Sequence, residues 1–250
     1  MKITGRTVLI TGGTAGIGLG LAQRLQGEGN TVVVAGRRTA LLDQIVQDHP
    51  GLAAVELDVA DPDSVRAAFD DVTTRFPDVD VLVNNAGIAL YEDLRTGESL
   101  DAAIDVITTN LIGPLRMSSL FVPFFATRGG GTVVNVGSGL GFVPLPASPT
   151  YSATKAAIHS YSETQRVQLA GSGIDVVEIV PPAVRTEFGG QQDDDRAMPL
   201  PAFLDGVMAI LREDPDVEQV VVDEAKPFRF AEAQGTYGRF LQVLAGFPVH

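Results

Sequence analysis

The fold of this chain is decided by residues 8 to 18, which read Val8-Leu9-Ile10-Thr11-Gly12-Gly13-Thr14-Ala15-Gly16-Ile17-Gly18. A short apolar run that ends in glycines and opens into a helical pattern predicts a buried strand, a tight turn and a helix N-terminus. Backbone amides and the helix dipole at such a terminus favour a pyrophosphate. Packing glycines are the alternative reading. The predicted dinucleotide contacts here are Gly12, Thr14, Gly16, Ile17 and Gly18.

Short apolar runs alternate with longer helix-like stretches along the chain. The runs are near-continuous valine, isoleucine and leucine, as expected for strands buried on both faces of a parallel sheet. The alternation predicts an α/β fold in a single domain over residues 1–250, a Rossmann-type doubly wound parallel sheet of about seven strands flanked by helices. Strands are predicted at Thr7–Thr11, Thr31–Ala35, Ala53–Leu57, Val79–Val83, Gly131–Val136, Ile174–Val180 and Gln219–Val222. Helices are predicted at Gly18–Gln26, Ala40–Gln47, Pro62–Arg75, Leu100–Phe125, Tyr151–Leu169 and Ala202–Arg212.

The composition argues against several classes of function. A formal net charge of −13 opposes binding to nucleic acid and to anionic membranes. The chain has no cysteine, and His49, His159 and His250 lack metal-ligand spacing, so we predict no disulfide and no metal site. No apolar run approaches the ~20 residues of a membrane span, and the first ten residues lack a signal-peptide core. The cytoplasm is the expected compartment.

The residues after the second and third predicted strands bear on the choice of dinucleotide. An NAD-binding sheet usually carries an acidic residue after its second strand, to hold the ribose 2′-hydroxyl. Here Gly36 is followed by Arg37 and Arg38, which favours the 2′-phosphate of NADP, although two solvated loop arginines are the alternative. Asp58 could accept from the adenine amine and Val59 could pack on its ring, or Asp58 could simply start the next turn.

Tyr151 and Lys155 are four residues apart in a helix-like stretch, and Ser138 lies thirteen residues before the tyrosine. Positions i and i+4 share one helix face, so the phenol and the ammonium are expected to point into one space. A nearby cation favours the phenolate, which predicts a depressed tyrosine pKa and proton exchange with a substrate oxygen. Ser138 could donate a hydrogen bond to that oxygen. A chance spacing on an ordinary helix is the alternative.

Taken in order, these motifs resemble the short-chain dehydrogenase/reductases in their standard ~250-residue form. The residues that carry the resemblance are Thr11-Gly12-x-x-x-Gly16-Ile17-Gly18, Asp58, Asn84-Asn85-Ala86-Gly87, Asn110, Ser138, Tyr151-x-x-x-Lys155 and the segment from Pro181 to Thr186. The stretches Tyr151–Ser160 and Arg196–Leu200 are similar to a bacterial subgroup of loosely assigned oxidoreductases.

The resemblance implies specific roles. Tyr151 is expected to be the general acid in carbonyl reduction and the base in alcohol oxidation. Lys155 would lower its pKa and hold the nicotinamide ribose, and Asn110 would hold a proton-relay water at a helix kink. Gly113-Pro114 fits such a disturbed helix. The remaining cofactor contacts that the resemblance implies are Asn85, Ala86, Gly87, Tyr151, Lys155, Pro181, Val184 and Thr186, and a turn is the alternative role of the Asn84–Gly87 segment.

Two features depart from the family pattern. Pro182 replaces a glycine that usually follows Pro181, and the chain ends in a polar, helix-like tail over about residues 224–250. The tail puts the family's usual tetramer in doubt. We expect a homodimer through helices 100–125 and 151–169, with His159 on that helix surface.

Two segments are expected to surround the substrate. The polar and glycine-bearing stretch over about 187–203 is predicted to be a mobile lid. Its triplet Asp193-Asp194-Asp195 is read as a solvated face rather than a metal site. Apolar residues between Leu140 and Pro146 are expected to wall the pocket or to be part of the core.

The sequence therefore predicts an NADP(H)-dependent oxidoreductase acting on a small-molecule carbonyl or secondary alcohol. Two alternatives remain open from the residues alone. One is a non-catalytic NADP-binding regulatory or scaffold protein, and the other is an epimerase or dehydratase that uses the same tyrosine.

Overall fold

The computed structural model of the protein describes residues 2–97 and 99–246. The strands are β1 Thr7–Thr11, β2 Thr31–Gly36, β3 Leu52–Glu56, β4 Val81–Asn84, β5 Gly131–Val136, β6 Ile174–Val180, β7 Val184–Arg185, β8 Met198–Pro199 and β9 Gln219–Val221. Seven parallel strands form one sheet in the order β3-β2-β1-β4-β5-β6-β9, and β7 and β8 form a separate two-stranded pair. The helices are α1 Gly16–Gly27, α2 Thr39–Asp48, α3 Pro62–Arg75, α4 Leu100–Ile107, α5 Gly113–Thr127, α6 Pro149–Gln168, α7 Leu200–Glu213, α8 Lys226–Arg229 and α9 Tyr237–Ala245.

The sheet is covered by helices on both faces. Val8 and Ile10 of β1 belong to a core cluster with residues of α1, α2 and α7, whereas Leu9 belongs to a cluster with residues of α3 and α5. Successive side chains of a strand point to opposite faces, so this division explains why the strands are apolar at nearly every position. The predicted α/β fold, a doubly wound parallel sheet of seven strands, is confirmed. Its chain order reverses between β1 and β4, where ligands bind in such sheets.

The predicted helix Leu100–Phe125 is interrupted. Helix α4 ends at Ile107, a π-helical turn runs over Thr108–Ile112, and α5 continues to Thr127. Pro114 is the physical cause, because it has no amide hydrogen to donate to the carbonyl four residues earlier, at Asn110. Gly113 allows this part of the helix to pack closely, since a Cβ there would lie 2.9 Å from the Val59 side chain. The disturbance expected around Asn110 is therefore a π turn.

The C-terminal tail forms a third core cluster with the segment that follows β5. Val143, Ala231 and Leu244 are its buried centre, with Phe228 and Phe240 packed against them. The tail is helical at α8 and α9, as its sequence indicated, and residues 247–250 lie outside the described part. Leu140 and Leu145 also contact this cluster.

This packing bears on two sequence-based expectations. Val143 is buried under the tail and Phe142 packs on His159 and Arg229, which supports the core role that the sequence left open for these two residues. The predicted lid over 187–203 ends too late, because β8 and α7 begin inside it and Phe203 is fully buried in the core. Within the described ranges, no helix combines the length and the apolar character that a membrane span requires.

Candidate active site

The glycine-rich turn between β1 and α1 has the shape that a pyrophosphate requires. Gly12 and Gly16 have φ values of 65° and 52°, in the left-handed region that favours glycine. Helix α1 has no side-chain cap at its N-terminus, so its first amides are not occupied by a capping side chain. A Cβ at Gly18 would collide with the Gly12 carbonyl, so this glycine is needed for packing. The turn fits a dinucleotide phosphate.

A set of hydrogen bonds connects this turn to the residues that follow strand β4. The Thr11 hydroxyl accepts from the amides of Asn85 and Ala86, both at 3.0 Å. The Asn85 side chain donates to the carbonyls of Thr11 and Gly12 at 2.9 and 3.1 Å. Asn85 therefore shapes the cradle through its side-chain hydrogen bonds.

Asn110 fixes the next part of the same segment. Its side chain accepts from the Ile88 amide and donates to the Ile88 carbonyl, both at 2.8 Å. Gly87 lies beside it, since a Cβ there would be 3.3 Å from the Asn110 side-chain oxygen. The π turn and the β4 loop are thereby joined next to helix α6.

The two arginines that were assigned to the 2′-phosphate lie at the end of β2. Arg38 donates to the Thr14 hydroxyl at 3.3 Å, so it lies beside the phosphate turn. Arg37 is 3.9 Å from the Asp58 carboxylate and is exposed. Asp58 accepts from the Ala60 amide at 2.9 Å, which supports the turn-forming reading for one of its oxygens. Val59 is buried against Gly113, so most of its side chain belongs to the core.

The three side chains predicted to carry the chemistry lie together at the carboxyl edge of the sheet. Ser138 follows β5, and Tyr151 and Lys155 lie one turn apart on α6; all three are buried. The Lys155 ammonium is 5.6 Å from the Tyr151 ring centroid and donates to the Val136 carbonyl at 2.7 Å. The site therefore has a phenol, a hydroxyl and a cation within one small volume.

Burial controls the ionisation of the two titratable groups in this trio. Removal from water raises the pKa of Tyr151 to about 12, and a hydrogen bond with Ser138 opposes that shift. Removal from water lowers the pKa of Lys155 to about 8, and the Glu178 carboxylate opposes that shift. The predicted depression of the Tyr151 pKa is therefore not found in this structure, because burial raises the pKa more than the Ser138 hydrogen bond lowers it.

The segment after β6 closes over this trio. The Pro181 carbonyl accepts a hydrogen bond from the Gly139 amide at 2.8 Å, which connects the end of β6 to the loop of Ser138. Val184 is buried in β7. The Thr186 side chain lies close to the glycine-rich turn, since a Cβ on Gly16 would be 3.5 Å from it. The Phe188 ring, in the expected lid, lies 5.8 Å from the Tyr151 ring between centroids.

Two aspartates of the acidic triplet in the expected lid form ion pairs with arginines. Asp194 pairs with Arg196 at 2.9 Å and Asp195 with Arg185 at 3.4 Å. Within residues 2–97 and 99–246, no group of three or more His, Cys, Asp and Glu side chains is arranged to hold a metal ion.

Residues 6–197 match the family described as short chain dehydrogenase. The chain belongs to this family. The dehydrogenase is 42% identical over 199 residues, 79% of each chain, to the Bacillus subtilis (strain 168) protein named uncharacterized oxidoreductase DltE. It is 31% identical to the NADP-dependent 3-hydroxy acid dehydrogenase of Schizosaccharomyces pombe, over 75% of this chain and 74% of the relative. The crystal structure of a short chain dehydrogenase from Burkholderia cenocepacia J2315 in complex with NADP has a TM-score of 0.82 at 26% identity, covering 99% of this chain and 100% of that one.

The family and the oxidoreductase class expected from the motifs are thus confirmed. Several residues that shape the site of this dehydrogenase were missed. Glu92 is buried, and its carboxylate accepts from the Thr150 amide and hydroxyl at 3.0 and 2.7 Å, which caps the helix that carries Tyr151. Nothing local indicates this contact, because the partners are 58 residues apart.

His159 and Glu178 were also not assigned to the site. His159 was expected on a helix surface, but its side chain is only 19% exposed and its Nδ1 lies 2.8 Å from the Glu178 carboxylate. The signal for Glu178 was a charged residue in the middle of the apolar run Ile174–Val180.

We expect the burial of Lys155 to make the stability of the dehydrogenase depend on pH. The unfolded lysine titrates near 10.5 and the folded one near 8, so between these values the unfolded chain binds more protons and stability rises with pH. Wild type should gain about 2 kcal/mol of unfolding free energy over Lys155→Met between pH 7 and 9.5, measured by urea denaturation.

Lys226→Met is the matched control, because the Lys226 side chain is 54% exposed. That variant should follow the wild-type pH curve. Parallel pH curves for wild type and Lys155→Met would show that the burial of Lys155 does not make the unfolding free energy depend on pH.

Proposed function

We propose that this dehydrogenase transfers a hydride between NADP(H) and a carbonyl or secondary alcohol, with Tyr151 as the general acid and base. The observation that carries the proposal is the buried contact of the Tyr151 phenol with Ser138, beside the Lys155 ammonium. These are an acid, a hydrogen-bond donor and a cation at one point, next to a cradle that fits a dinucleotide phosphate. A scaffold protein has no physical need for this trio.

Each residue has a defined task in the proposed reaction. When bound, the nicotinamide supplies or accepts the hydride. The raised pKa keeps the Tyr151 phenol protonated at neutral pH, which is the form that donates a proton to a carbonyl oxygen in reduction. Ser138 would hold that oxygen by a hydrogen bond, and the Lys155 charge would stabilise the phenolate left after donation. A water on the Asn110 carbonyl would return the proton.

We assign the cofactor to NADP(H) from the arginines after β2 and the absence of a carboxylate at Gly36. The NADP-dependent relative and the NADP complex of a structural neighbour support this choice. The proposed contacts are Gly12, Thr14, Gly16, Ile17, Gly18, Arg37, Arg38, Asp58, Val59, Asn85, Ala86, Gly87, Tyr151, Lys155, Pro181, Val184 and Thr186.

We further propose that the segment after Thr186, up to β8, acts as the lid. It carries Gly189 and Gly190, whose positive φ values require glycine, and it places Phe188 against Tyr151. An apolar part of the substrate would contact this ring. A cytoplasmic location stays a prediction.

We propose a homodimer through the helices of residues 100–125 and 151–169. Leu100, Ile104 and Ile107 form an exposed apolar stripe on α4 at helical spacing. Exposed Leu90 and Leu94 precede it in the chain. Several exposed apolar side chains on one helix of a protein of net charge −13 are best explained by a partner subunit.

Replacement of Tyr151 by phenylalanine tests the proposed acid. With NADPH and a panel of ketones and aldehydes, turnover should fall by about 10²- to 10⁴-fold, because the proton donor is lost. NADPH affinity should change by less than about tenfold, since one hydrogen bond is removed. Tyr161→Phe, on the same helix, should retain activity. Equal rates in wild type and Tyr151→Phe would eliminate the acid, and tight NADPH binding by a wild type without turnover would favour the scaffold alternative.

Replacement of Arg37 and Arg38 by alanine tests the cofactor assignment. The KM for NADPH should rise at least about tenfold, because hydrogen bonds to a charged phosphate are lost, and the KM for NADH should stay nearly unchanged. Arg128→Ala is the control and should change neither value, because Arg128 lies before the amino end of β5, at the opposite ends of the strands from the glycine-rich turn. Equal losses with both cofactors would refute the role of the pair.

The dimer is tested by light scattering. Wild type should have twice the mass of one chain, and Ile104→Asp should shift it toward a single chain because a charge enters the apolar contact. Val46→Asp, at a comparably exposed apolar residue on α2, should remain dimeric. A wild type with the mass of one chain would exclude the proposal.

A further inference from the structure

A row of buried polar side chains crosses the sheet one layer below the candidate active site. Asn84, Asn135, Glu178 and Gln219 occupy paired register positions on β4, β5, β6 and β9. The Asn84 side chain donates to Asn135 at 2.9 Å, and Asn135 donates to Ser162 of α6 at 2.9 Å. Polar groups placed between apolar layers lower stability unless they are paired, so a functional reason for the row is expected.

Glu178 is the charged member of this row. It is 1% exposed, and one carboxylate oxygen accepts from His159 Nδ1 at 2.8 Å and from Gln219 at 2.6 Å. The other oxygen has no hydrogen-bond partner within the described part of the chain. This oxygen lies against Gly137, the residue before Ser138. A Cβ at position 137 would be 2.5 Å from it, so the close approach of the carboxylate requires a glycine there.

The Lys155 ammonium contacts the residue next to that glycine in the chain. It donates to the Val136 carbonyl, which belongs to the residue just before Gly137. Tyr151, Lys155 and His159 repeat every four residues and therefore share one face of α6. The carboxylate of Glu178 is the charge that counteracts the burial of Lys155.

We propose that Glu178 is a positioning residue for the proposed reaction, whose buried carboxylate keeps the Lys155 ammonium charged and in place. His159 and Gln219 hold the carboxylate in its orientation, and Arg229 of the tail donates a hydrogen bond to Gln219. The inference rests on the proposed function for its catalytic meaning. The electrostatic part can be tested without turnover.

Few other charges face this site. From α6 itself come the Tyr151 phenol, His159 and the exposed Glu163, which lies 3.5 Å from His159. Asp101 and Asp105 of α4 and Asp175 of β6 are exposed to solvent. The turn over 139–141 and the π turn carry no titratable side chain, and β9 contributes only Gln219 here. The buried Glu92 carboxylate contacts the first turn of α6 at Thr150, and the Arg229 guanidinium reaches the site through Gln219. Glu178 is the buried carboxylate that lies against Gly137, next to the Val136 carbonyl that Lys155 contacts.

The chain offers a direct probe, because it has only three lysines, Lys2, Lys155 and Lys226. Lysine labelled with ¹³C at Cε should give three NMR signals in the full-length protein, and Lys155→Arg identifies the signal of interest. In wild type its titration midpoint should lie near the value of about 8. In Glu178→Gln the midpoint should fall by about one pH unit or more, because a nearby opposite charge is removed.

Two further variants complete the design. Glu163→Gln makes the same change at an exposed residue that also contacts His159, and it should leave the midpoint unchanged. Glu178→Asp keeps the charge but withdraws it by one methylene, so its midpoint should lie between wild type and Glu178→Gln. It also carries the test if the Gln variant melts too early to titrate. An unchanged Lys155 midpoint in either folded Glu178 variant would overturn the proposal.

The kinetic counterpart separates this inference from the proposed function. In carbonyl reduction with NADPH, the alkaline limb of the kcat/KM profile should move to lower pH in Glu178→Gln by the same amount as the NMR midpoint. A shifted midpoint in a protein without reductase activity would support the role of Glu178 on Lys155 and reject the proposed reaction. A shifted limb with an unchanged midpoint would reject the role of Glu178.

Discussion

A buried ammonium group is the constraint around which the carboxyl edge of the sheet is organised. Lys155 is removed from water, and its charge is supported by the Val136 carbonyl and the Glu178 carboxylate. Charges in such a place are costly unless paired, so each of these contacts has to be positioned closely. The close approach requires a glycine at position 137 and a polar residue in the middle of β6.

The same physical logic explains the bracing of the nucleotide turn. Its glycines leave the backbone without side-chain support, so the shape has to be held from outside. Thr11 and Asn85 supply that support through hydrogen bonds to the turn and to the end of β4. Asn110 continues the brace from Ile88 to the π turn. The glycine-rich turn and the candidate active site are thus parts of one hydrogen-bonded edge.

The C-terminal tail supports this edge from the other side. Phe228 lies against Gly139, and the cluster around Val143 and Leu244 covers the segment between Ser138 and helix α6. Arg229 reaches Gln219, which in turn holds Glu178. In this dehydrogenase the tail therefore joins its own chain's serine loop to the buried polar row. This contact buries Val143 under the tail.

Local patterns were enough for the strands, the nucleotide turn and the pairing of Tyr151 with Lys155. Burial on both faces leaves continuous apolar runs, and helical spacing places residues i and i+4 on one face whatever surrounds them. The disturbance at the π turn was partly predictable from the sequence, because Pro114 has no amide hydrogen to complete the helical hydrogen bonding. What could not be read is which distant groups meet: Glu92 with Thr150, Glu178 with His159 and Lys155, and the tail with the serine loop. Those contacts, and the high pKa of the Tyr151 phenol, depend on how strands and helices exclude water from one another, which only the tertiary structure decides.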